Sequence, residues 1–188
     1  MKDKIIESSI RLFERRGFAE TSIQDIVETL GVTKGTFYYY FSSKEELLMD
    51  IHLSYIDGLI ARQEEILRDS SAAASTKIHR IISLLIHDIQ CQGQSAKVFF
   101  REMKALSEDK LSQIVPKRDL FRLNMEQVVK EGIENGELRP ELDPAIVTFG
   151  ILGMANWCYQ WFQPGGRLTE EDVSEMFVDM LLTGIAVK

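Results

Sequence analysis

Between positions 33 and 41 the sequence has a run of side chains that could bind an anion. Its polar members carry hydroxyl or ammonium groups: Thr33, Lys34, Thr36, Tyr38 and Tyr39. Such groups, with backbone N–H groups, hydrogen-bond phosphate oxygens. Phe37 and Phe41 lie four residues apart and share one helix face, so the tyrosines between them must point elsewhere. We expect the run to present its tyrosines to a polar surface such as phosphates and base edges.

Three helix starts position this run. Thr21-Ser22-Ile23-Gln24 is interpreted as a capping box with Thr21 at the N-cap, followed by apolar residues at helical spacing up to Leu30. Gly31 is predicted to end that helix, and Thr33 to cap the next one. Ser43-Lys44-Glu45-Glu46 is a second capping box, which opens a longer helix. A helix, a short turn containing glycine and a short second helix form a helix-turn-helix motif.

The order and spacing of these segments resemble the N-terminal DNA-binding domain of the TetR family of transcriptional regulators. The resemblance extends over residues 17–27, 31–41 and 43–48, and Tyr40 stands where the family most often has histidine. It implies a homodimer whose two helix-turn-helix modules enter successive major grooves of a pseudo-palindromic operator. It also implies contacts to the DNA from these residues: Lys34, Gly35 through its amide, Thr36, Tyr38, Tyr39, and Lys44 on a phosphate, with Thr33 as the helix cap.

The charge of the chain is distributed unevenly. The net charge is −7 over 188 residues, of which residues 1–47 contribute −1, from seven Lys and Arg against eight Asp and Glu. The acidic excess therefore lies outside the proposed DNA-binding module. Because the basic surface is small, we expect weak non-specific DNA binding and a strong dependence on dimerisation.

Several classes of protein are not indicated by this sequence. No apolar run approaches the roughly 20 residues that span a bilayer, and no secretory signal precedes the first helix, so a cytoplasmic protein without membrane contact is expected. Cys91 and Cys158 fit no metal or redox spacing, and no metal or cofactor is predicted. No Glu lies three residues before any histidine, and there is no phosphate-binding glycine loop or nucleophile elbow, so we expect no enzyme.

The whole chain is expected to be all-α, with about nine helices. A three-helix helix-turn-helix domain over residues 1–46 would precede a larger helical ligand-binding and dimerisation domain over 47–188. Separate helices are predicted over 76–92 and 95–106, another from near Pro116, one over 144–162 that begins at the Asp143-Pro144 cap, and a last one capped by Thr169.

The last two predicted helices are too apolar for a monomer surface. The helix over 144–162 is apolar nearly all round, and such a helix must be covered on several sides. In the TetR family the resemblance implies that these two helices pair with those of a second subunit in a four-helix bundle. A two-fold interface is the favoured interpretation, and a monomeric core is the alternative.

The resemblance further implies a pocket for a hydrophobic small molecule among the middle helices. Bulky or polarisable side chains are its candidates, together with one charge: Phe99, Phe100, Arg101, Met103, Phe121, Met125, Trp157 and Trp161. Each apolar candidate could instead be ordinary core, and Arg101 either reaches solvent or meets an anionic ligand group.

Residues 153–169 are similar to TetR-type regulators that control fatty-acid or steroid degradation and bind acyl-coenzyme A thioesters. We therefore expect a ligand-responsive regulator, a repressor, with a long-chain acyl-CoA as effector. A multidrug-responsive repressor of an efflux gene and a ligand-free DNA-organising protein are the alternatives.

Overall fold

The computed structural model of the chain describes residues 1–185, and in that range it has helices and no β-strand. The eight α-helices are α1 (Lys2–Arg16), α2 (Ile23–Leu30), α3 (Lys34–Tyr40), α4 (Lys44–Leu67), α5 (Ala74–Arg101), α6 (Glu108–Glu134), α7 (Pro144–Trp161) and α8 (Glu170–Ile185). A 3-10 turn over Met103–Ala105 joins α5 to α6. The predicted all-α class is confirmed. The end of the predicted second domain, 186–188, lies outside the described residues.

The chain divides into two compact units. The first unit contains Met1–Asp57 and Gln92–Pro116, and the second contains Gly58–Cys91 and the described residues from Lys117 on. The predicted boundary after residue 46 stays a prediction. Within the first unit, α1 to α4 surround a core that also takes in Val98, Leu106 and Ile114.

The first helix of the helix-turn-helix motif begins one residue later than predicted. Ser22, not Thr21, is the N-cap of α2: its Oγ accepts a hydrogen bond from the Asp25 amide at 3.1 Å, and Asp25 Oδ2 accepts one from the Ser22 amide at 2.7 Å. Thr21 is fully buried, and its hydroxyl donates to the Gly17 carbonyl at 2.8 Å. The capping-box residues are therefore Ser22 and Asp25, because the threonine hydroxyl is already engaged in the preceding turn.

One of the two predicted helix boundaries is a kink and the other lies inside a helix. The predicted break near Gln92-Gly93 is confirmed as a kink that divides α5 into two helical segments, where Gln92 has the non-helical angles φ −126° and ψ 31°. Pro116 was expected near a helix start, but α6 begins at Glu108 and Pro116 lies inside it. Both residues mark places where the helical hydrogen-bond ladder is interrupted, and neither reverses the chain.

The caps predicted for the two C-terminal helices are confirmed. Asp143 accepts a hydrogen bond from the Ile146 amide at 2.9 Å, and Pro144 occupies the first turn of α7. At α8, Thr169 Oγ1 accepts from the Asp172 amide at 3.1 Å and donates to Asp172 Oδ2 at 2.9 Å. The hydrogen bonds that the Asp172 carboxylate accepts from the Thr169 amide and from the Thr169 hydroxyl hold the pKa of Asp172 below its ordinary value. The start of each of these two helices is thus specified by local chemistry.

Candidate nucleic-acid interface and effector region

The short helix α3 presents its tyrosines to solvent. Tyr38 is 54% exposed and Tyr39 is 81% exposed, whereas Phe37 is fully buried and Phe41 is nearly so. The Phe37 and Phe41 ring centroids lie 5.8 Å apart. These two rings anchor α3 in the core of the first unit. Because Phe37 and Phe41 are four residues apart and share one helix face, Tyr38 and Tyr39 point away from the core.

The turn before α3 sets its orientation. Gly31 ends α2 in the left-handed conformation, with φ 64° and ψ 32°, which glycine adopts without a Cβ penalty. Thr33 then caps α3, because its Oγ1 accepts a hydrogen bond from the Thr36 amide at 3.3 Å. Thr33, Lys34 and Gly35 are exposed and Thr36 is half-buried. Four of the predicted contact residues therefore lie on the same short segment as the two exposed tyrosines.

Lys44 makes internal contacts. Its Nζ donates to the Phe18 carbonyl at 2.6 Å and to the Thr21 carbonyl at 2.5 Å, and it lies 4.2 Å from the Phe18 ring centroid. Partial burial lowers the pKa of this amine, against the opposing carboxylates of Asp25 and Glu20. An ammonium group has three donors, so one N–H is left for the phosphate contact that the sequence predicts. Its first role is to join α4 to the turn between α1 and α2.

The candidate effector residues are distributed over both units. In the first unit, Phe99 is buried and its ring centroid lies 4.7 Å from that of Tyr55 and 5.2 Å from that of His52. Phe100 and Met103 are half-buried, and Arg101 is exposed at the end of α5. The exposure of Arg101 agrees with the first of the two roles expected for it, in which the side chain reaches solvent.

In the second unit a buried polar network lies beside two of the candidates. Gln63 is fully buried and donates from Nε2 to the carbonyl of Phe121 at 2.9 Å, while its Oε1 accepts from Asn124 Nδ2 at 3.0 Å. Phe121 and Met125 are themselves buried. The sequence places Gln63 in the apolar stripe of α4, and a polar residue in such a stripe is the signal that could have identified this network.

The two tryptophans lie on the outside of the single chain. Trp157 is 60% exposed, and Trp161 lines an open cavity of about 210 Å³ beside Phe162 and Arg167. Their exposure differs from that expected of residues in an enclosed pocket. The buried side of α7 consists instead of small or aliphatic residues: Thr148, Ile151, Ala155 and Cys158. A helix that is apolar nearly all round does not reveal from sequence which side faces the core.

The tryptophans belong to an exposed apolar face on α7 and α8. We call it the C-terminal apolar face, and its large members are Ile146, Phe149, Trp157, Trp161, Met176 and Met180. Gly150, Gly153 and Gly184 lie on the same two helices, and a Cβ built on any of them meets nothing within 4 Å. Large contiguous apolar patches on soluble chains mark sites of association.

No helix within the described residues, 1–185, is both long and apolar enough to cross a bilayer. In the same range, no three His, Cys, Asp or Glu side chains are placed to hold a metal ion.

Comparison with known proteins gives two matches to family models. Residues 5–51 match the model described as "Bacterial regulatory proteins, tetR family", and residues 71–185 match that described as "Tetracyclin repressor-like, C-terminal domain". Together these two segments contain most of α1, all of α2 and α3, and all of α5 to α8.

Individual proteins are similar along the whole chain. The HTH-type transcriptional repressor KstR2 of Mycobacterium tuberculosis is 28% identical over 185 residues, which cover 98% of this chain and 92% of that protein. The structure of the ketosteroid transcriptional regulator KstR2 from the same organism has a TM-score of 0.92 at 27% identity, covering 100% of this chain and 95% of that one. The structure of AibR in complex with isovaleryl coenzyme A and operator DNA has a TM-score of 0.88 at 26% identity, covering 96% and 97%.

Proposed function

Because the chain belongs to the TetR family of transcriptional regulators, we propose that it is a homodimeric repressor whose α3 helices bind a pseudo-palindromic operator and whose DNA affinity a hydrophobic small molecule controls. The observation that carries the DNA-binding part is the outward display of Tyr38 and Tyr39 beside an exposed Lys34. We assign the chain no catalytic reaction. Because a repressor must reach its operator DNA, we place the protein in the cytoplasm.

The proposed DNA contacts are those expected from the sequence. Tyr38, Tyr39, Thr36 and Lys34 would contact phosphates and base edges, the Gly35 amide would donate to a phosphate, and Thr33 would keep the helix start in place. Lys44 would add its remaining N–H to a phosphate. Contacts of this kind position the protein through phosphates and read the sequence through base edges.

Substitution on α3 tests this surface. Tyr38→Ala should weaken operator binding by about 1–3 kcal/mol if its contact is to a base, and Lys34→Ala should reduce the salt dependence of binding by about one counterion. Lys130→Ala is the matched control, because Lys130 is an exposed lysine of α6 in the second unit. Binding is measured by fluorescence anisotropy over a salt series, and unchanged affinity in both α3 variants would refute this assignment of the DNA-binding face.

The homodimer is proposed through the C-terminal apolar face. A two-fold interface would cover the exposed tryptophans and methionines of α7 and α8, and the small residues between them would allow the helices to approach closely. The two DNA-binding modules would then lie about 34–36 Å apart on successive major grooves. This interface also supplies the two-fold symmetry that a pseudo-palindromic operator requires.

We propose an acyl-coenzyme A thioester as the effector, with a long-chain acyl group as the expected form. Support comes from relatives: one is called a ketosteroid regulator, and AibR was crystallised with isovaleryl coenzyme A and operator DNA. The buried side chains Phe121 and Met125, both in the second unit, are suited to contact with an acyl chain. We expect the ligand to bind more tightly to a dimer conformation in which the two DNA-binding modules have a spacing that does not fit the operator. The ratio of the ligand's affinities for the two conformations then limits how far operator affinity falls.

A ligand panel discriminates between the effector classes. Acyl-CoA thioesters from short to long chain, free coenzyme A, and lipophilic cations are titrated against the preformed operator complex. Release by thioesters alone supports the proposal, and release by the cations alone supports a multidrug-responsive repressor. If no compound changes the affinity, the acyl-CoA assignment fails, and a ligand-free DNA-organising protein becomes the better description.

A further inference from the structure

A cysteine, a histidine and a glutamate form a hydrogen-bonded chain in the second unit, outside the proposed DNA and effector sites. His87 and Cys91 are one turn apart on α5, and the distance from Cys91 Sγ to His87 Nε2 is 3.3 Å. The other ring nitrogen, Nδ1, lies 2.7 Å from Oε1 of Glu170, at the start of α8. The thiol is exposed, and the His87 side chain is 53% exposed.

The hydrogen bonds of this cluster define the direction of proton transfer. A carboxylate only accepts hydrogen bonds, so His87 carries a proton on Nδ1 and donates it to Glu170. The neutral ring then has an unprotonated Nε2, which faces the thiol and accepts its proton. A thiol beside a base that a third group orients is the arrangement that activates a nucleophile.

We propose that Cys91 is a nucleophilic thiol that reacts with small uncharged hydroperoxides, with His87 as its base and Glu170 as a positioning residue. His87 Nε2 takes the thiol proton, and the thiolate attacks one peroxide oxygen. The S–O bond forms as the O–O bond breaks, and the imidazolium returns its proton to the leaving oxygen. Sulfur loses two electrons to become a sulfenic acid, and the hydroperoxide is reduced to water or an alcohol.

The surroundings of the cluster favour an uncharged reactant. An open cavity of about 410 Å³ beside the imidazole is lined by Ser83, Leu84, His87, Glu170, Glu171 and Ser174. Its two carboxylates repel anionic reactants. Cys91 lies on α5, whereas the C-terminal apolar face lies on α7 and α8. The thiol is therefore not one of the residues assigned to the proposed dimer interface.

The second cysteine provides an internal control. Cys158 is fully buried in α7, and burial raises the pKa of its thiol to about 11. It should therefore react slowly in the folded chain, because the thiolate is the reactive form. Since the chain has two cysteines, labelling followed by peptide mass analysis assigns each modification to one of them.

The experiment follows the reaction of the reduced full-length protein with hydrogen peroxide, and traps the sulfenic acid with dimedone. Cys91 should react about tenfold or more faster than N-acetylcysteine at the same pH. We expect a smaller acceleration than the roughly hundredfold or more that a general base contributes in a closed active site, because this thiol is exposed. His87→Gln should remove this advantage. Glu170→Gln should slow the reaction and change its rate–pH profile, because the imidazolium that forms on proton transfer loses its carboxylate partner.

Glu171→Gln is the matched control, because it removes a carboxylate from the same turn and keeps Glu170. Its peroxide rate should equal that of the parent protein, while its preference for iodoacetamide over iodoacetate should fall. Circular dichroism verifies that each variant is folded. A Cys91 that reacts no faster than N-acetylcysteine, or equally fast in His87→Gln, overturns the proposal. An unchanged pH profile in Glu170→Gln overturns the role given to Glu170.

Discussion

Replacing Trp157 with alanine tests whether the C-terminal apolar face is a subunit interface. Trp157 projects from α7 and is 60% exposed in the single chain. A substitution at an exposed position leaves the core of the unit intact, so any large effect must arise from a partner. The two-fold arrangement applies the change twice in each dimer.

The size of the effect follows from the exposed area. A large aromatic side chain buries up to about 250 Å², so covering the exposed share of Trp157 removes roughly 150 Å² from water and contributes about 4 kcal/mol per subunit at most. If the partner covers only half of that area, the loss over two subunits is again about 4 kcal/mol. This corresponds to a rise of roughly a thousandfold in the dimer dissociation constant.

Sedimentation over a dilution series measures that constant. Trp157 and Trp161 are the two tryptophans of the chain, so the emission of Trp161 in the variant also reports whether the face remains covered. Tyr39→Ala is the control: it removes an aromatic ring that is 81% exposed on α3 and should leave the dimer unchanged. A dissociation constant of Trp157→Ala that equals that of the parent would refute the proposed interface.

Three further predictions concern stability and are measured by chemical or thermal unfolding. Lys44→Met should cost about 2 kcal/mol, since two carbonyls lose a charged donor, whereas the exposed Lys34→Met should cost little. Ser22→Ala should cost about 1 kcal/mol through loss of the cap. The hydrogen bonds from Ser22 lower the pKa of Asp25, so the contribution of this carboxylate is present at neutral pH and is lost as pH falls through its folded-state pKa. Burial raises the pKa of Cys158 from 9.0 to about 11, so stability should fall between these pH values by at most about 1.4 kcal/mol per pH unit, and Cys158→Ala should abolish that component.

The helix-turn-helix segment could be predicted from sequence because its signals are local. Thr33 caps α3, Gly31 ends α2, and the spacing of Phe37 and Phe41 fixes which side of α3 faces inward. The choice between Thr21 and Ser22 as cap could not be made this way. Both hydroxyls precede the same helix, and only the fold shows that Thr21 is already bonded to the preceding turn.

Features that depend on distant contacts could not be predicted. Pro116 weakens a helix by its local chemistry, but the neighbouring packing decides that α6 begins earlier and continues through it. At the start of α6, the Glu45 carboxylate of α4 accepts a hydrogen bond from the Ser107 amide at 2.8 Å, a contact 62 residues apart in sequence. The same limit applies to Trp157, because an all-apolar helix gives no signal for which side is exposed.

The acidic residues of the first unit bear on how it approaches DNA. Glu46 lies 2.6 Å from the Lys110 ammonium, and Glu14 lies 3.0 Å from that of Lys97. The hydrogen bond from Lys110 to Glu46 raises the pKa of the amine. Pairing with Lys97 and Lys110 partly offsets the negative charge of these two glutamates, so a net charge of −1 over residues 1–47 is compatible with a DNA-binding surface.

Pairing does not supply a large positive surface, however. With Lys34 as the basic residue on α3, a single module gains few counterion-release contacts, and its affinity should be low. Two modules held in one dimer bind with a high effective concentration, because the second contact becomes intramolecular. We therefore expect Trp157→Ala to lose operator affinity together with dimerisation, although its DNA-binding surface is intact. Tyr39→Ala should lose operator affinity with the dimer preserved, and tight operator binding by a monomeric Trp157→Ala would contradict this coupling.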